Sequence, residues 1–135
     1  MLEILQSIIS VFTGDVNLTN LIPASNILTG PVDIVTEGQS DLIMPQLNIH
    51  VISEVSRSVP LRTRDTLIQI DIWSRTSMLE IENIYERIIA LLNYTSPTSG
   101  STKIFWERLG GAVDQFEQDR RIWHRAVTYN VWSQK

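Results

Sequence analysis

Two stretches of the chain alternate apolar and polar residues with a period of two. The first covers residues 66–73 and ends at Trp73, and the second covers residues 121–132 and ends at Trp132. Because successive side chains of a strand point to opposite faces, this period predicts two β-strands with distinct faces. Neither face of the second strand is purely polar, which is typical of a sheet that contacts something on both sides.

A different spacing predicts two amphipathic helices. Residues 2–12 carry apolar side chains three or four positions apart. Residues 78–92 repeat this spacing directly after a capping box formed by Ser77 and Glu80. The apolar stripe of each helix predicts that it packs on the sheet.

Shorter apolar runs predict the remaining strands. These are residues 47–53, residues 103–109 and a short piece within residues 27–36 that Gly30 and Pro31 interrupt. Polar or mixed segments between the runs predict extended loops. The loops lie near residues 37–45, 54–62 and 95–102.

The order of these elements predicts a single α+β domain over residues 1–135. Strands joined by short loops favour antiparallel pairing, whereas the helix at 78–92 could also serve as a crossover to a parallel neighbour. We therefore expect a mostly antiparallel or mixed sheet of four to five strands. Two helices are expected to cover one face of this sheet.

Composition is that of a soluble protein made in the cytoplasm. The chain has no cysteine, so disulfides and thiol chemistry are excluded. No apolar run approaches the roughly 20 residues that a membrane span needs. The N-terminus also lacks the basic region of a signal peptide. We therefore expect no membrane partner.

The sequence offers little that would carry catalysis. His50 and His124 are its only histidines, and a partly exposed strand histidine is a simpler interpretation of each than a catalytic base or a pH switch. No nucleophile elbow, zinc motif or phosphate loop is present. Asp114, Glu117 and Asp119 could hold a hard cation loosely, but a solvated turn explains them more simply. We predict no enzymatic activity, no catalytic residue, no cofactor and no metal site.

The distribution of arginine and tryptophan favours self-association. Nine of the eleven basic residues are arginine, a side chain enriched with aromatics at protein interfaces. The net charge of −4 argues against nucleic-acid binding. We predict a subunit interface on the last strand, formed by Arg121, Trp123, Arg125 and Trp132. Pairing of the arginines with acids of a neighbouring strand in the same chain is the alternative.

In order and pattern, the chain resembles the tail completion or tail terminator proteins of long-tailed bacteriophages. The resemblance spans nearly the whole chain and rests on the sequence of elements, since no single motif is diagnostic. The segments that carry it are the helix at 2–12, the strand entered through Pro45, the Arg64-led strand up to Ser74, the helix at 78–92 with Glu80, Glu86 and Arg87, and the closing strand at 119–132.

This resemblance implies a structural virion protein that is assembled in the host cytoplasm. In that family, α+β subunits form a hexameric ring at the head-proximal end of the tail tube, stop tube polymerisation and dock to the head connector, or stopper, protein. The implied partners are other copies of the chain, the tail tube protein and the connector. DNA would pass through the ring only as cargo.

The loop at 37–45 has two expected roles in such a ring. Glu37 and Asp41 would line an acidic lumen, because carboxylates repel the phosphates of passing DNA. The apolar tip Leu42, Ile43 and Met44 would be a docking surface.

Two other functions stay open on the sequence. One is a different neck protein, such as a head-completion adaptor, which would share the mode of action but not the partner. The other is a small dimeric α+β enzyme or ligand-binding module. A six-fold ring would favour the terminator, and a compact dimer whose melting temperature depends on a ligand would favour the module.

Overall fold

The computed structural model describes residues 2–29, 45–57, 63–94, 98–99, 102–108, 112–118 and 121–134. Three α-helices lie in these ranges: α1 (Leu2–Thr13), α2 (Val16–Thr19) and α3 (Met78–Tyr94). A 3₁₀ turn, Ala24–Asn26, leads into the first strand. The described strands are β1 (Ile27–Thr29), β2 (Gln46–Arg57), β3 (Thr63–Ser74), β4 (Thr98–Ser99), β5 (Thr102–Arg108), β6 (Val113–Glu117) and β7 (Ile122–Gln134).

The strands form one mixed sheet in the order β1-β2-β3-β7-β5-β4, and β6 pairs with β7 beside β5. Only the β1–β2 pair is parallel among the described strand pairs. The predicted α+β fold with a mostly antiparallel sheet is confirmed. Five of the described strands have five or more residues, and the shorter β1 and β4 raise the total in this part of the chain to seven.

The helices cover one face of the sheet, as predicted. α1 contacts both β1 and β4, which are the strands at the two ends of the order, so the sheet curves around this helix. α3 contacts β3 and β7 in the middle of the sheet. The unpredicted one-turn α2 connects α1 to α3 along the same layer.

The alternation of β3 and β7 separates the two faces of the sheet. On the helix face, Ile68, Ile70 and Ile72 of β3 are buried beside Val127 and Tyr129 of β7. Each such side chain stabilises the fold by roughly 1.5–3 kcal/mol relative to exposure. The helices complete this core with Ile8, Phe12, Ile81, Ile84, Ile88 and Leu92. The opposite face, called the outer face below, carries mainly polar residues.

Three predicted irregular segments contain strand residues in the structure. β2 continues to Arg57 after a register shift between Val51 and Ser53, so the first part of the loop predicted at 54–62 is strand. The loop predicted at 95–102 contains β4 and the start of β5. β6 occupies most of the segment predicted as a solvated turn around Asp114. Backbone pairing with long neighbouring strands outweighs the weak strand preference of these polar segments.

The predicted start of α3 is confirmed, with a different hydrogen-bond arrangement. The backbone N–H of Glu80 donates to Ser77 Oγ at 3.2 Å, as a capping box requires. The Glu80 carboxylate, however, accepts a hydrogen bond from Ser74 Oγ at 2.7 Å. Ser74 Oγ also accepts from the N–H of Thr76 at 3.0 Å. Ser74 therefore fixes the exit of β3 against the first turn of α3.

Candidate functional site

The predicted interface residue Arg125 is bound inside the chain. Its Nε donates to Asp114 Oδ1 at 2.7 Å and its Nη2 donates to Asp114 Oδ2 at 3.1 Å, which is a bidentate pair across β6 and β7. Its Nη1 donates to Glu82 of α3, and its guanidinium carbon lies 4.9 Å from the centre of the Tyr85 ring. Hydrogen bonding to Asp114 raises the pKa of Arg125 above its usual value, burial opposes this, and Glu82 adds to it. Arg125 therefore pairs with acids of its own chain, which was the alternative to a subunit contact.

The other predicted interface residues differ in their surroundings. Trp123 is half-buried against the core, and its ring lies 4.2 Å from that of Phe116 on β6. Arg121 is exposed in the turn before β7 and has a φ of 53°, which a residue with a side chain rarely adopts. The side chain of Trp132 lies outside the described part of the chain. Whether these residues meet another subunit stays a prediction.

The predicted lumen and docking residues lie outside the described residues. They are Glu37, Asp41, Leu42, Ile43 and Met44. Of the predicted acidic cluster, Asp114 is the residue bound by Arg125, and Asp119 is not described. Over the ranges that the structure describes, no group of three or more His, Cys, Asp or Glu residues is arranged to hold a metal ion.

The outer face brings together both histidines of the chain, an arrangement that the sequence did not predict. His124 Nε2 on β7 lies 2.8 Å from Asp71 Oδ1 on β3. His50 Nδ1 on β2 lies 3.5 Å from Asp71 Oδ2, close enough for an ion pair but without hydrogen-bond geometry. We call these three residues the His50–Asp71–His124 cluster. It spans the three neighbouring strands at the centre of the sheet.

Further contacts hold the His50–Asp71–His124 cluster in position. Gln69 Nε2 donates to Asp71 Oδ1 at 2.8 Å. The ring of Trp73 stacks on that of His124 with centroids 3.7 Å apart and planes 4° from parallel. The side chains of Asp71, His124 and His50 are only 8%, 14% and 21% exposed. Both histidines are therefore partly exposed strand residues, as the sequence predicted.

Chemically, the pair His124–Asp71 corresponds to the base and its orienting carboxylate in a hydrolytic triad. Such a triad also needs a nucleophile hydrogen-bonded to the imidazole. Among the contacts of the described residues, no hydroxyl is bonded to either histidine.

A second ion pair ties the helical layer together. Asp15 caps α2 by accepting from the N–H of Leu18 at 2.8 Å. The same carboxylate accepts from Nε and Nη2 of Arg87 on α3, at 2.8 and 2.7 Å. The hydrogen bond from Arg87 lowers the pKa of Asp15 below its usual range, burial opposes this, and the backbone bond from Leu18 adds to it. The sequence pattern gave no sign of this pair.

Comparison with solved structures finds a similar chain in a structure described as the virion of a native gene transfer agent particle. The superposition has a TM-score of 0.73 at 8% sequence identity, and it covers 96% of this chain and 93% of that chain. The two chains share a fold. No protein-family model and no curated protein sequence matches the chain.

Among the described residues, no helix is both long enough and apolar enough to cross a membrane.

Proposed function

We propose that this protein is a structural component of a phage-like virion, and that it acts as a tail terminator. The observation that carries this proposal is the likeness of fold, over nearly the full length of both chains, to a chain of a gene transfer agent virion. The resemblance of the sequence pattern to tail terminators supports the same role independently of that comparison. In this role the protein forms a ring and acts by assembly alone, without catalysing a reaction.

A ring requires two different surfaces on each subunit that fit each other around the circle. The described part of the sheet offers exposed apolar residues at two separate edges. On β6, Val113 and Phe116 are 58% and 42% exposed. Leu28 on β1 and Ile52 on β2 are exposed at the opposite edge. We propose that the β6 edge of one subunit meets the β1–β2 edge of the next.

The predicted contact residue Arg121 lies in the turn that joins the β6 region to β7. Its exposed guanidinium is available to an acid of the neighbouring subunit, whereas that of Arg125 is bound to Asp114 and Glu82. In this arrangement Arg121 and Phe116 contact the neighbour directly. Arg125 acts indirectly, because it holds β6 against α3.

Light scattering after gel filtration tests this interface. We expect Phe116→Ser and Arg121→Glu each to shift the protein from a multi-subunit particle toward the 15.4 kDa monomer. The matched control is Val16→Ser, because Val16 is an equally apolar, exposed residue on α2, outside the sheet. If both β6-side variants keep the wild-type mass, the proposed edge is wrong.

The proposed position of the ring is the neck of the virion, where it ends the tail tube and contacts the head connector. The loop at 37–45 would then contribute Glu37 and Asp41 to an acidic lumen and the apolar Leu42, Ile43 and Met44 to docking. Repulsion between these carboxylates and DNA phosphates would let the DNA pass without binding.

A further inference from the structure

Two strands, β1 and β6, form opposite edges of the sheet. Among the described strand pairs, β1 is hydrogen-bonded only to β2, and β6 only to β7. Each strand therefore turns one side of its backbone away from its own sheet. Such an edge is a template for a strand of another chain, and main-chain hydrogen bonds then supply much of the affinity.

The side chains along both edges are exposed. On β6, Val113 and Phe116 are 58% and 42% exposed, and Gln115 between them is also exposed. On β1, Leu28 is 40% exposed, and Thr29 is exposed beside it. Exposed apolar residues that recur along an edge are typical of a surface that a partner covers.

Neither edge presents an unpaired charge among its described side chains. Natural proteins protect edge strands from pairing with lysine, proline or other charged residues. Asp114 is the one acid among the described side chains of β6, and Arg125 neutralises it through two hydrogen bonds of 2.7 and 3.1 Å. The described side chains of β1 are Ile27, Leu28 and Thr29, which carry no charge. Two such edges can meet without burying a charge that lacks a partner.

The direction of the strands determines how the two edges can join. β1 is parallel to β2, and the pairs β2–β3, β3–β7 and β7–β6 are antiparallel. β6 therefore runs opposite to β1. Where a ring continues the sheet from one subunit to the next, rotation about its axis brings the neighbour's β1 beside β6 in the same sense. The strands that meet are then antiparallel, which is the more stable of the two pairings.

The two edges also match in level and in face. A single cross-strand row on the outer face runs from Leu28 through Asn48, Asp71 and Ala126 to Val113. Leu28 and Val113 are thus the exposed ends of one row. A closed ring has no rise along its axis, so a row that lies level in one subunit continues at the same level in the next.

We propose that β6 of one subunit and β1 of the next pair through antiparallel main-chain hydrogen bonds, with Val113 opposite Leu28 on the outer face. The partner of each edge is a second copy of this chain, and the sheets of all subunits join into one continuous belt. This pairing rests on the ring of the proposed function and deepens it, since contact between the same edges through side chains alone would also close a ring.

Cysteine cross-linking tests this pairing, because the chain has no cysteine of its own. Directly opposite residues of an antiparallel pair have Cβ atoms about 4.5–5.5 Å apart, close to the separation of about 3.5–4.5 Å in a disulfide. In the double variant Leu28→Cys, Val113→Cys, mild oxidation should link each subunit to the next and give a ladder of linked subunits on a non-reducing gel. Neither single variant should form linked dimers, because each new cysteine faces the other edge.

The matched control combines Val113→Cys with Thr29→Cys. Thr29 is the exposed neighbour of Leu28 on the other face of β1, so this pair of cysteines lies on opposite faces of the joined sheet and should give no ladder. A ladder from the control as strong as that from the double variant would overturn the pairing. Linked dimers from Val113→Cys alone would overturn it too, because they would show that two β6 edges meet each other.

Amide hydrogen exchange tests the same pairing in the wild-type chain, where no substitution can disturb the edge. The amides of β6 that face away from β7 should exchange slowly in the assembled protein and lose this protection in the Arg121→Glu variant, which we expect to be monomeric. Equally fast exchange of these amides in both proteins would contradict main-chain pairing.

Light scattering of the same samples under reducing conditions separates this proposal from the ring itself. A wild-type protein of multi-subunit mass that gives neither the ladder in the double variant nor protected β6 amides would contradict the strand pairing and leave the ring intact. A monomeric wild-type protein would contradict both.

Discussion

At the scale of single residues, Arg125 determines how β6 is held to the rest of the molecule. Arg125→Met should lower the free energy of unfolding by about 1–3 kcal/mol, because Asp114 and Glu82 then face each other without a cation. This expected loss is smaller than the loss on breaking a fully buried ion pair, because the carboxylates of Asp114 and Glu82 are both nearly half exposed to solvent. Urea denaturation measures the loss.

The matched control for this change is Glu82→Gln, which keeps the bidentate pair between Arg125 and Asp114. We expect it to cost less than about 1 kcal/mol, as for other exposed ion pairs. An equal or larger loss in Glu82→Gln than in Arg125→Met would mean that the pair with Asp114 contributes little.

The role of a single residue could be predicted from the sequence where its partner lies only a few positions away in the chain. Ser77 caps α3 as the pattern indicates, because the cap and its N–H donor are three positions apart. Asp71 and the two histidines meet only because β2 and β7 both pair with β3, and single-residue patterns do not encode this adjacency. One sequence signal could have indicated this cluster: Asp71, His50 and His124 all occupy polar positions in otherwise apolar strands.

At the scale of elements, the short helix α2 depends on one carboxylate. Asp15 both caps α2 and binds Arg87, so Asp15→Asn, which can keep the cap but loses the ion pair, should lower the free energy of unfolding by less than about 1 kcal/mol at neutral pH. Because the folded-state pKa of Asp15 is lowered, this contribution is present above the ordinary aspartate value of about 3.9 and is lost as the pH falls through the folded-state value.

Chemical denaturation of both proteins at a series of pH values checks this expectation. The difference between wild type and Asp15→Asn should stay constant from pH 7 to about 5 and shrink below pH 4. Arg87→Met is the companion variant, because it removes the ion pair and keeps the cap to Leu18. A difference that stays constant down to pH 2 would show that the ionised carboxylate is not what stabilises α2.

The long elements follow from the periodicity of the sequence, and the short ones do not. α1, α3, β3 and β7 carry continuous patterns with periods of 3.6 or 2, and the structure has them where these patterns lie. β6 has five residues, three of them polar or acidic, and its pairing with β7 arises from the tertiary structure. The one-turn α2 is too short for any periodicity to appear.

At the scale of the whole molecule, the α+β architecture follows from the order of helices and strands, whereas the curvature of the sheet does not. The sheet curves because α1, from the start of the chain, contacts strands at both of its ends. The β6 edge and the β1–β2 edge of this sheet carry exposed apolar residues. The proposed ring is the assembly that would cover both edges at once.

Electron microscopy of the negatively stained protein, alone and mixed with tail tubes, tests the proposed role most directly. We expect six-fold rings in the protein alone and a ring at one end of each tube, with no further growth of tubes that carry it. A monomer or compact dimer that leaves the tubes free to grow would contradict the tail-terminator proposal.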